Sequence, residues 1–305
     1  MHAFWQQLVA GLTTGSLYAL VALGYTMVYG VLKLLNFAHG DVYMVGAFVG
    51  YFVIQWFGGS KSLSIPVPLV LLIMFLLAGV GCGLLGVAME RFAYRPLRKA
   101  PRIAPLITAL GVSFFLENAV LLLFGSETRI YNTSDFISLS TGIHIGSFEI
   151  SLVRIMVIGL SLIMMFGLNR LVHLTTLGKS MRAVASDREA AEMLGINVDR
   201  TISYTFFIGS AMAGVAGVMG GLVFNQVYNQ IGFVVGLKAF TAAVVGGIGS
   251  IPGAMLGGLL IGLAESFFTA DVSPQYTNLM VFGILFIVLL VRPSGLLGKA
   301  QLQKV

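Results

Sequence analysis

The sequence predicts an all-α polytopic membrane protein, a bundle of eight to nine transmembrane helices with broken or re-entrant segments. Of the 305 residues, 57% are hydrophobic and only 10% are charged, whereas an average soluble domain is about 25% charged. A spanning helix needs about 20 apolar residues, so eight or nine spans would use about 160 to 180 residues, close to the hydrophobic share of this chain. This composition excludes a soluble enzyme, a nucleic-acid-binding protein and a disordered chain.

Apolar runs define the predicted spans. They fall at about 8–31, 41–57, 66–89, 103–124, 151–172, 202–224, 232–249, 253–270 and 278–291. The stretch 232–270 is about twice as long as the membrane is thick, at roughly 1.5 Å per helical residue. It must therefore turn, and the Gly-Ser-Ile-Pro-Gly sequence at 249–253 favours a turn there. A short or re-entrant segment would reduce nine spans to eight.

The basic residues predict the orientation of the chain. Most of the 18 lysines and arginines lie in 90–102, in 170–201 and after residue 291, and by the positive-inside rule these segments face the cytoplasm. An odd number of spans then places the N-terminus outside and the C-terminus in the cytoplasm. We interpret residues 1–305 as a single transmembrane domain. The remaining loops are predicted to face outward, at 58–65, 125–150 and 271–277.

Glycines recur four residues apart within the apolar runs, which is a spacing that lets helix backbones approach closely. The pairs are Gly46/Gly50, Gly79/Gly83, Gly217/Gly221, Gly253/Gly257 and Gly258/Gly262. Tight packing within one bundle and packing between subunits both fit this pattern.

The loop 173–201 contains a predicted short helix. Ser186 and Glu189 have the spacing of a capping box, and Gly195 follows where a helix ends on a left-handed residue. A helix of about eight residues is marginal in water, so we expect it to dock on its own bundle, on lipid or on a cytoplasmic partner. The predicted docking residues are Ser186, Asp187, Glu189, Ala190, Ala191, Met193, Leu194 and Gly195.

Polar groups and backbone breaks within apolar stretches are candidates for a translocation path, because ionisable residues at membrane depth are costly. By analogy with broken helices in secondary transporters, we select Asn36, Phe37, His39, Gly40, Asp41, Glu117, Asn118, Gly246, Gly247, Gly249 and Glu265. The alternative is structural: satisfied ion pairs for the carboxylates, and tight turns or re-entrant packing for the two interruptions at 36–41 and 246–253.

Several motifs resemble known importers. The run Glu189-Ala190-Ala191, followed by Gly195, resembles the EAA loop of ABC importer permeases. Other stretches resemble LivH-type permeases of bacterial branched-chain amino acid importers, from residue 11 to residue 305. They are GYTMVYG at 24–30, NFAHGD at 36–41, the ER-AYRP pattern at 90–96, LGIN-DR at 194–200, the segment 238–253 and the Pro-x-Gly at 293–295.

This resemblance implies a permease subunit of an ATP-driven importer in the bacterial inner membrane, with 186–195 as the coupling helix within the coupling loop 173–201. It implies no catalysis and no cofactor or metal in this chain, since partner subunits use ATP and Mg. The implied partners are a LivM-like permease, LivG- and LivF-like ATPases, a periplasmic or extracellular binding protein and membrane lipid, without nucleic acid. The implied substrates are leucine, isoleucine and valine.

Two alternatives remain open. Related permeases serve urea or short amides. A protein of another class, an ATP-independent secondary transporter or facilitator, would use Glu117, Glu265 or Asp41 as ion-coupling sites but would leave the Glu-Ala-Ala loop unexplained.

Overall fold

The computed structural model describes residues 2–57, 66–98, 100–101, 103–131, 142–145 and 148–298. The predicted outward loop 58–65 and much of the loop 125–150 lie outside the described residues. The α-helices are α1 (His2–Leu32), α2 (His39–Trp56), α3 (Val67–Met89), α4 (Ile103–Phe124), α5 (Leu152–Leu174), α6 (Thr176–Ser186), α7 (Arg188–Met193), α8 (Val198–Phe224), α9 (Ile231–Gly246), α10 (Ile251–Asp271) and α11 (Thr277–Val291).

Short elements connect these helices. A π-helical turn at Glu90–Tyr94 and a 3-10 turn at Arg95–Leu97 extend α3, and a 3-10 turn at Pro274–Tyr276 precedes α11. The described residues also form two antiparallel strand pairs: β1 (Arg129–Ile130) with β4 (Gln226–Val227), and β2 (Gly142–Ile145) with β3 (Phe148–Ser151).

Seven helical segments among the described residues are long and apolar enough to cross a membrane. They are Ala3–Leu32, Val67–Leu97, Ile103–Phe124, Leu152–Leu174, Val198–Phe224, Ile251–Asp271 and Pro274–Val291. The prediction of an all-α polytopic membrane protein is therefore confirmed, but the count of eight to nine spans is not. The predicted runs 41–57 and 232–249 correspond to α2, of 18 residues, and α9, of 16 residues. Neither is among the seven.

The chain contains two halves with matching packing, one formed by α1, α2 and α3 and the other by α8, α9 and α10. Helix α1 lies along α10 as α8 lies along α3, and α2 packs on α3 and α8 as α9 packs on α10 and α1. The two short helices also contact each other, so α2 and α9 lie where the halves meet, in the interior of the bundle. Helices α4, α5, α6 and α7 connect the halves along the chain.

Glycines let the interior helices approach at backbone distance. A Cβ on Gly40 of α2 would lie 2.5 Å from the carbonyl oxygen of Gly232 and 2.8 Å from Cα of Gly236, both in α9. A Cβ on Gly46 would lie 2.5 Å from Cα of Gly214 in α8. Several glycines of the predicted pairs thus pack against other helices of this same chain, namely Gly46, Gly217, Gly258 and Gly262.

Helices α1, α3 and α5 end, and α4 and α8 begin, at one end of the bundle. This end also holds α6 and α7: Arg188 donates to the carbonyl of Leu32 at the end of α1 (3.4 Å), and Arg95 after α3 forms an ion pair with Asp199 in the first turn of α8. We call it the basic end, because its segments contain most of the lysines and arginines.

Candidate functional site

The loop predicted to contain one helix contains two. Helix α6 begins after Thr175, whose side chain accepts a hydrogen bond from the backbone N–H of Gly178 (3.1 Å). Met181 and Val184 are buried on the face of α6 that packs against α1, α5 and α8. Helix α6 therefore fixes the position of the loop on the bundle before α7 begins.

The N-cap of α7 is Asp187. The prediction that Ser186 caps this helix is therefore wrong. The Asp187 side chain accepts a hydrogen bond from the backbone N–H of Ala190 (3.1 Å), whereas Ser186 is the last residue of α6. The extended backbone of Asp187, with φ −155° and ψ 119°, explains the difference. Because this backbone is not helical, α6 ends and α7 begins at Asp187, which has the backbone geometry that an N-cap needs.

The end of α7 agrees with the prediction. Gly195 has φ +80°, and the N–H of Ile196 donates to the carbonyl of Ala191 (3.0 Å), a pattern typical of a glycine-terminated helix. This left-handed backbone conformation favours glycine. Helix α7 is thus capped at both ends within a sequence of only six helical residues.

The apolar residues of α7 divide between the bundle and the solvent. Ala191 is 2% exposed, but Met193 is 89% exposed and Leu194 is 79% exposed. The side chains of Ser186, Asp187, Glu189 and Ala190 are exposed as well. Helix α7 therefore rests on its own chain through Ala191 and presents a polar surface with two large apolar side chains at its end.

An ion-pair network ties the end of α3 to the start of α8 beside α7. Arg98 pairs with the buried carboxylate of Glu90 and, at 2.5 Å, with Asp199, which also pairs with Arg95. Ser203 Oγ donates to the second oxygen of Glu90 (2.8 Å). Sequence reasoning missed this network. The sequence does contain a signal that could have predicted it. The charged motifs at 90–98 and 199–200 both lie in segments that the basic residues assign to the same side of the membrane.

The first interruption, between α1 and α2, brings buried polar groups together. Asn36 accepts a hydrogen bond from the hydroxyl of Tyr94 (2.6 Å), and the His39 ring lies edge-on to Tyr25 with centroids 4.8 Å apart. His39 and Asp41 are each 1% exposed, and among the described residues neither side chain makes a hydrogen bond of ordinary geometry, although Ser113 faces Asp41 and the backbone of Val21 faces His39. Such groups are rare in a folded interior. Phe37 packs against Phe240 of α9.

The predicted pair on α4 separates in the structure. Ser113 and half-buried Glu117 lie on the side of α4 that faces Asp41. Asn118 is exposed and donates to the carbonyl of Phe114 in its own helix (2.7 Å). The structure thus brings Glu117 near Asp41 and leaves Asn118 on the outer surface.

Glu265 has two partners inside the bundle. Lys238 of α9 lies 2.5 Å from its Oε1, and the hydroxyl of Tyr18 in α1 donates to its Oε2 at 2.8 Å. These contacts join α1, α9 and α10. They favour the structural interpretation of Glu265 over a free carboxylate in a path.

The second interruption is a turn between α9 and α10. Gly247 (φ +109°) and Gly249 (φ +92°) have left-handed backbones, and Gly246 packs against Gly253. The N–H of Leu297 donates to the carbonyl of Gly246 (2.9 Å), so the C-terminal segment closes the end of α9. Gly249 and Lys33 line one cavity of about 180 Å³ at the basic end, which His39, Gly40 and Asp41 do not line.

Comparison with known proteins identifies relatives over nearly the whole chain. The family model described as branched-chain amino acid transport system, permease component, matches residues 7–290. The chain is 44% identical over 308 residues to the high-affinity branched-chain amino acid transport system permease protein BraD of Pseudomonas aeruginosa, covering 100% of this chain and 99% of the relative. It is 42% identical over 307 residues to the corresponding protein LivH of Escherichia coli, covering 99% and 98%.

A more distant relative belongs to a different import system. The autoinducer 2 import system permease protein LsrC of Yersinia pestis is 28% identical over 197 residues, covering 62% of this chain and 54% of the relative. No solved structure matches the chain. Since the family model spans residues 7–290 and two relatives match over their full length, this chain belongs to the family of permease components of branched-chain amino acid transport systems.

Proposed function

We propose that this chain is the non-catalytic permease subunit of an ATP-driven importer of leucine, isoleucine and valine, and that α7 is its contact with an ATPase subunit. The exposure of Met193 and Leu194 on a helix capped at both ends supports this role most directly. Exposed large apolar side chains clustered at one point are typical of interaction sites. The relatives BraD and LivH are branched-chain amino acid permeases, which supports the substrate class.

The same proposal includes the assembly. The chain forms one transmembrane domain, 1–305, in the bacterial inner membrane, with the basic end in the cytoplasm and the N-terminus outside. It works with a LivM-like permease, LivG- and LivF-like ATPases that use ATP and Mg, and an external binding protein, and it binds no cofactor itself. The ending of α1 and the closing of α9 by the C-terminal segment, both at the basic end, support this orientation.

Helix α7 is placed to transmit motion. It is joined to α6, which packs on α1, α5 and α8, and Ala191 seats α7 directly beside the bundle. A partner that moves α7 therefore moves elements of both halves. For this to drive transport, the ATPase must bind the two states of the permease with different affinities.

The double substitution Met193→Ser/Leu194→Ser should reduce ATP-dependent leucine uptake at least about tenfold, because burying each side chain in a partner groove is worth about 1.5–3 kcal/mol and 1.4 kcal/mol is tenfold in affinity. The measurement is uptake in vesicles together with recovery of ATPase subunits with the tagged permease. Trp56→Ser, which removes an 87% exposed apolar side chain from the end of α2, is the matched control. Unchanged uptake with normal ATPase recovery in the double variant would refute the docking role of α7.

The substrate is tested by uptake of labelled leucine in the presence of the binding protein, with isoleucine, valine, urea and acetamide as competitors. Competition by the branched-chain amino acids alone is expected, with uptake dependent on ATP. Competition by urea or acetamide would favour the amide alternative. Uptake without ATP and without ATPase subunits would favour the secondary transporter.

We place the first interruption next to the translocation path, since His39 and Asp41 are buried without a hydrogen bond of ordinary geometry among the described residues and Glu117 lies near Asp41. Asp41→Asn should lower uptake several-fold while leaving the thermal stability of the permease unchanged or higher. Removing a buried carboxylate that has no ion-pair partner among the described residues relieves a desolvation cost, so a purely structural role predicts no loss of uptake. Asn118→Ala, on the exposed side of α4, serves as the control. Normal uptake kinetics in Asp41→Asn would exclude the role in the path.

A further inference from the structure

A cavity of about 620 Å³ lies at the basic end, between the end of α3 and the start of α8. Its walls differ in character along the helix axes. Arg91, Arg95 and Arg200 line it at the basic end, and Val87, Tyr204 and Phe207 line it farther into the bundle.

The charge of this cavity is positive. Asp199 is its acidic residue and is already engaged by Arg95 and by Arg98, which lies behind the wall. Arg91 and Arg200 are exposed, and within the described part of the chain their side chains have no ion pair or hydrogen bond. Two guanidinium groups thus remain available to an anion.

The position of the cavity matches the membrane surface. Phe207 follows Arg200 by seven residues in α8, which is about 10 Å along a helix axis. On α3, the half-exposed side chains of Leu77, Val80 and Leu84 form a stripe with helical spacing, and Arg91 continues that stripe one heptad beyond Leu84. With the basic end at the cytoplasmic membrane surface, as the proposed function has it, the apolar wall of the cavity reaches the depth of acyl chains and the arginines lie at the depth of headgroups.

We propose that this cavity binds the phosphodiester headgroup of an anionic phospholipid from the cytoplasmic leaflet. Arg91 and Arg200 bind the headgroup phosphate, because guanidinium groups pair with phosphate oxygens through two parallel N–H donors. One acyl chain lies against Val87 and Phe207. Basic pockets between helices on the cytoplasmic side bind acidic headgroups in this way. The bound lipid joins α3 to α8 across the same gap as the Glu90–Arg98–Asp199 network.

The test uses the full chain, purified in a non-ionic detergent and stripped of lipid. Phosphatidylglycerol, phosphatidylcholine and inorganic phosphate are titrated separately, and the melting temperature and the bound lipid in native mass spectra are recorded. Phosphatidylglycerol should raise the melting temperature, and Arg91→Gln/Arg200→Gln should weaken its binding at least about tenfold, as expected when two phosphate contacts are removed. Arg292→Gln, an exposed arginine at the end of α11, should bind phosphatidylglycerol like the unaltered chain.

Equal binding of phosphatidylglycerol by Arg91→Gln/Arg200→Gln and Arg292→Gln would overturn the proposal. If inorganic phosphate stabilises the chain as strongly as phosphatidylglycerol does, the ligand of this cavity is a free phosphate and not a lipid. If the double variant fails to fold, Arg200→Lys keeps the charge and should show weaker phosphatidylglycerol binding than Arg292→Gln. Absence of phosphatidylglycerol from the complete complex, with loss of a partner subunit in the double variant, would assign the arginines to a protein contact instead.

Discussion

Lys238→Met should cost about 3–5 kcal/mol of folding free energy, which is the usual consequence of removing one partner from a buried ion pair. The variant leaves the Glu265 carboxylate inside the bundle with Tyr18 as its remaining partner, since Lys238 supplies the contact to Oε1 at 2.5 Å. The side chains of Lys238 and Glu265 are only 10% and 16% exposed. We expect little monodisperse protein after extraction and a lower melting temperature for what remains.

The double variant Lys238→Met/Glu265→Gln separates charge from packing. The glutamine side chain is neutral and can still accept the hydrogen bond from Tyr18, so abundance and melting temperature should largely recover. Equal damage in the single and double variants would show that packing of the Lys238 stem, rather than charge, holds α9 to α10. Normal leucine uptake by the double variant would also remove Glu265 from the translocation path.

Gly46→Ala should destabilise the permease by about 1–3 kcal/mol or prevent its folding, because the added methyl group enters a filled space. Its Cβ would lie 2.5 Å from Cα of Gly214, and a backbone atom cannot move aside as the end of a flexible side chain can. The readouts are the yield of folded protein and its melting temperature.

Gly81→Ala makes the same chemical change in α3 at a position where nothing lies within 4 Å of the new Cβ. Alanine favours a helix over glycine by up to about 1 kcal/mol, so this control should be neutral or stabilising. Opposite signs for the two substitutions are the expected result. Similar melting temperatures for both variants would mean that α2 and α8 are not in backbone contact at Gly46.

The helices that cross the bundle could be predicted because lipid imposes a length and an apolar composition on them. The apolar runs of the sequence also predict α2 and α9 as spans, but with 18 and 16 residues neither is among the helices long and apolar enough to cross a membrane. Their glycine-rich sequences are apolar because they face other helices, as at Gly40 and Gly232, and not because they face lipid. The apolar runs do not predict helix α6, because it is amphipathic rather than apolar. Two neighbouring residues, Ser186 and Asp187, could each cap α7, and only the backbone angles decide between them.

The polar candidates show where sequence reasoning ends. The sequence indicates that burying the Glu265 carboxylate in a membrane costs free energy. It does not indicate the partners, because Lys238 and Tyr18 lie on other helices that are distant in sequence. Asp41 and Glu117 come near each other because α2 lies against α4, which no local pattern indicates. Gly246, Gly247 and Gly249 were recognised as a break, and their backbone contacts identify it as a turn.

The shortness of α2 and α9 has a consequence for biosynthesis. A segment leaves the translocon for lipid when its own side chains favour the transfer, and a central Asp or Lys opposes this by about 2.5–3.5 kcal/mol. Helix α9 has 16 residues with Lys238 near its middle, and α2 carries Asp41 in its first turn. We expect each to be retained until the next helix that packs against it has been synthesised, α3 for α2 and α10 for α9. Lys238 can then enter the membrane only after α10, which contains its ion-pair partner Glu265, has been synthesised.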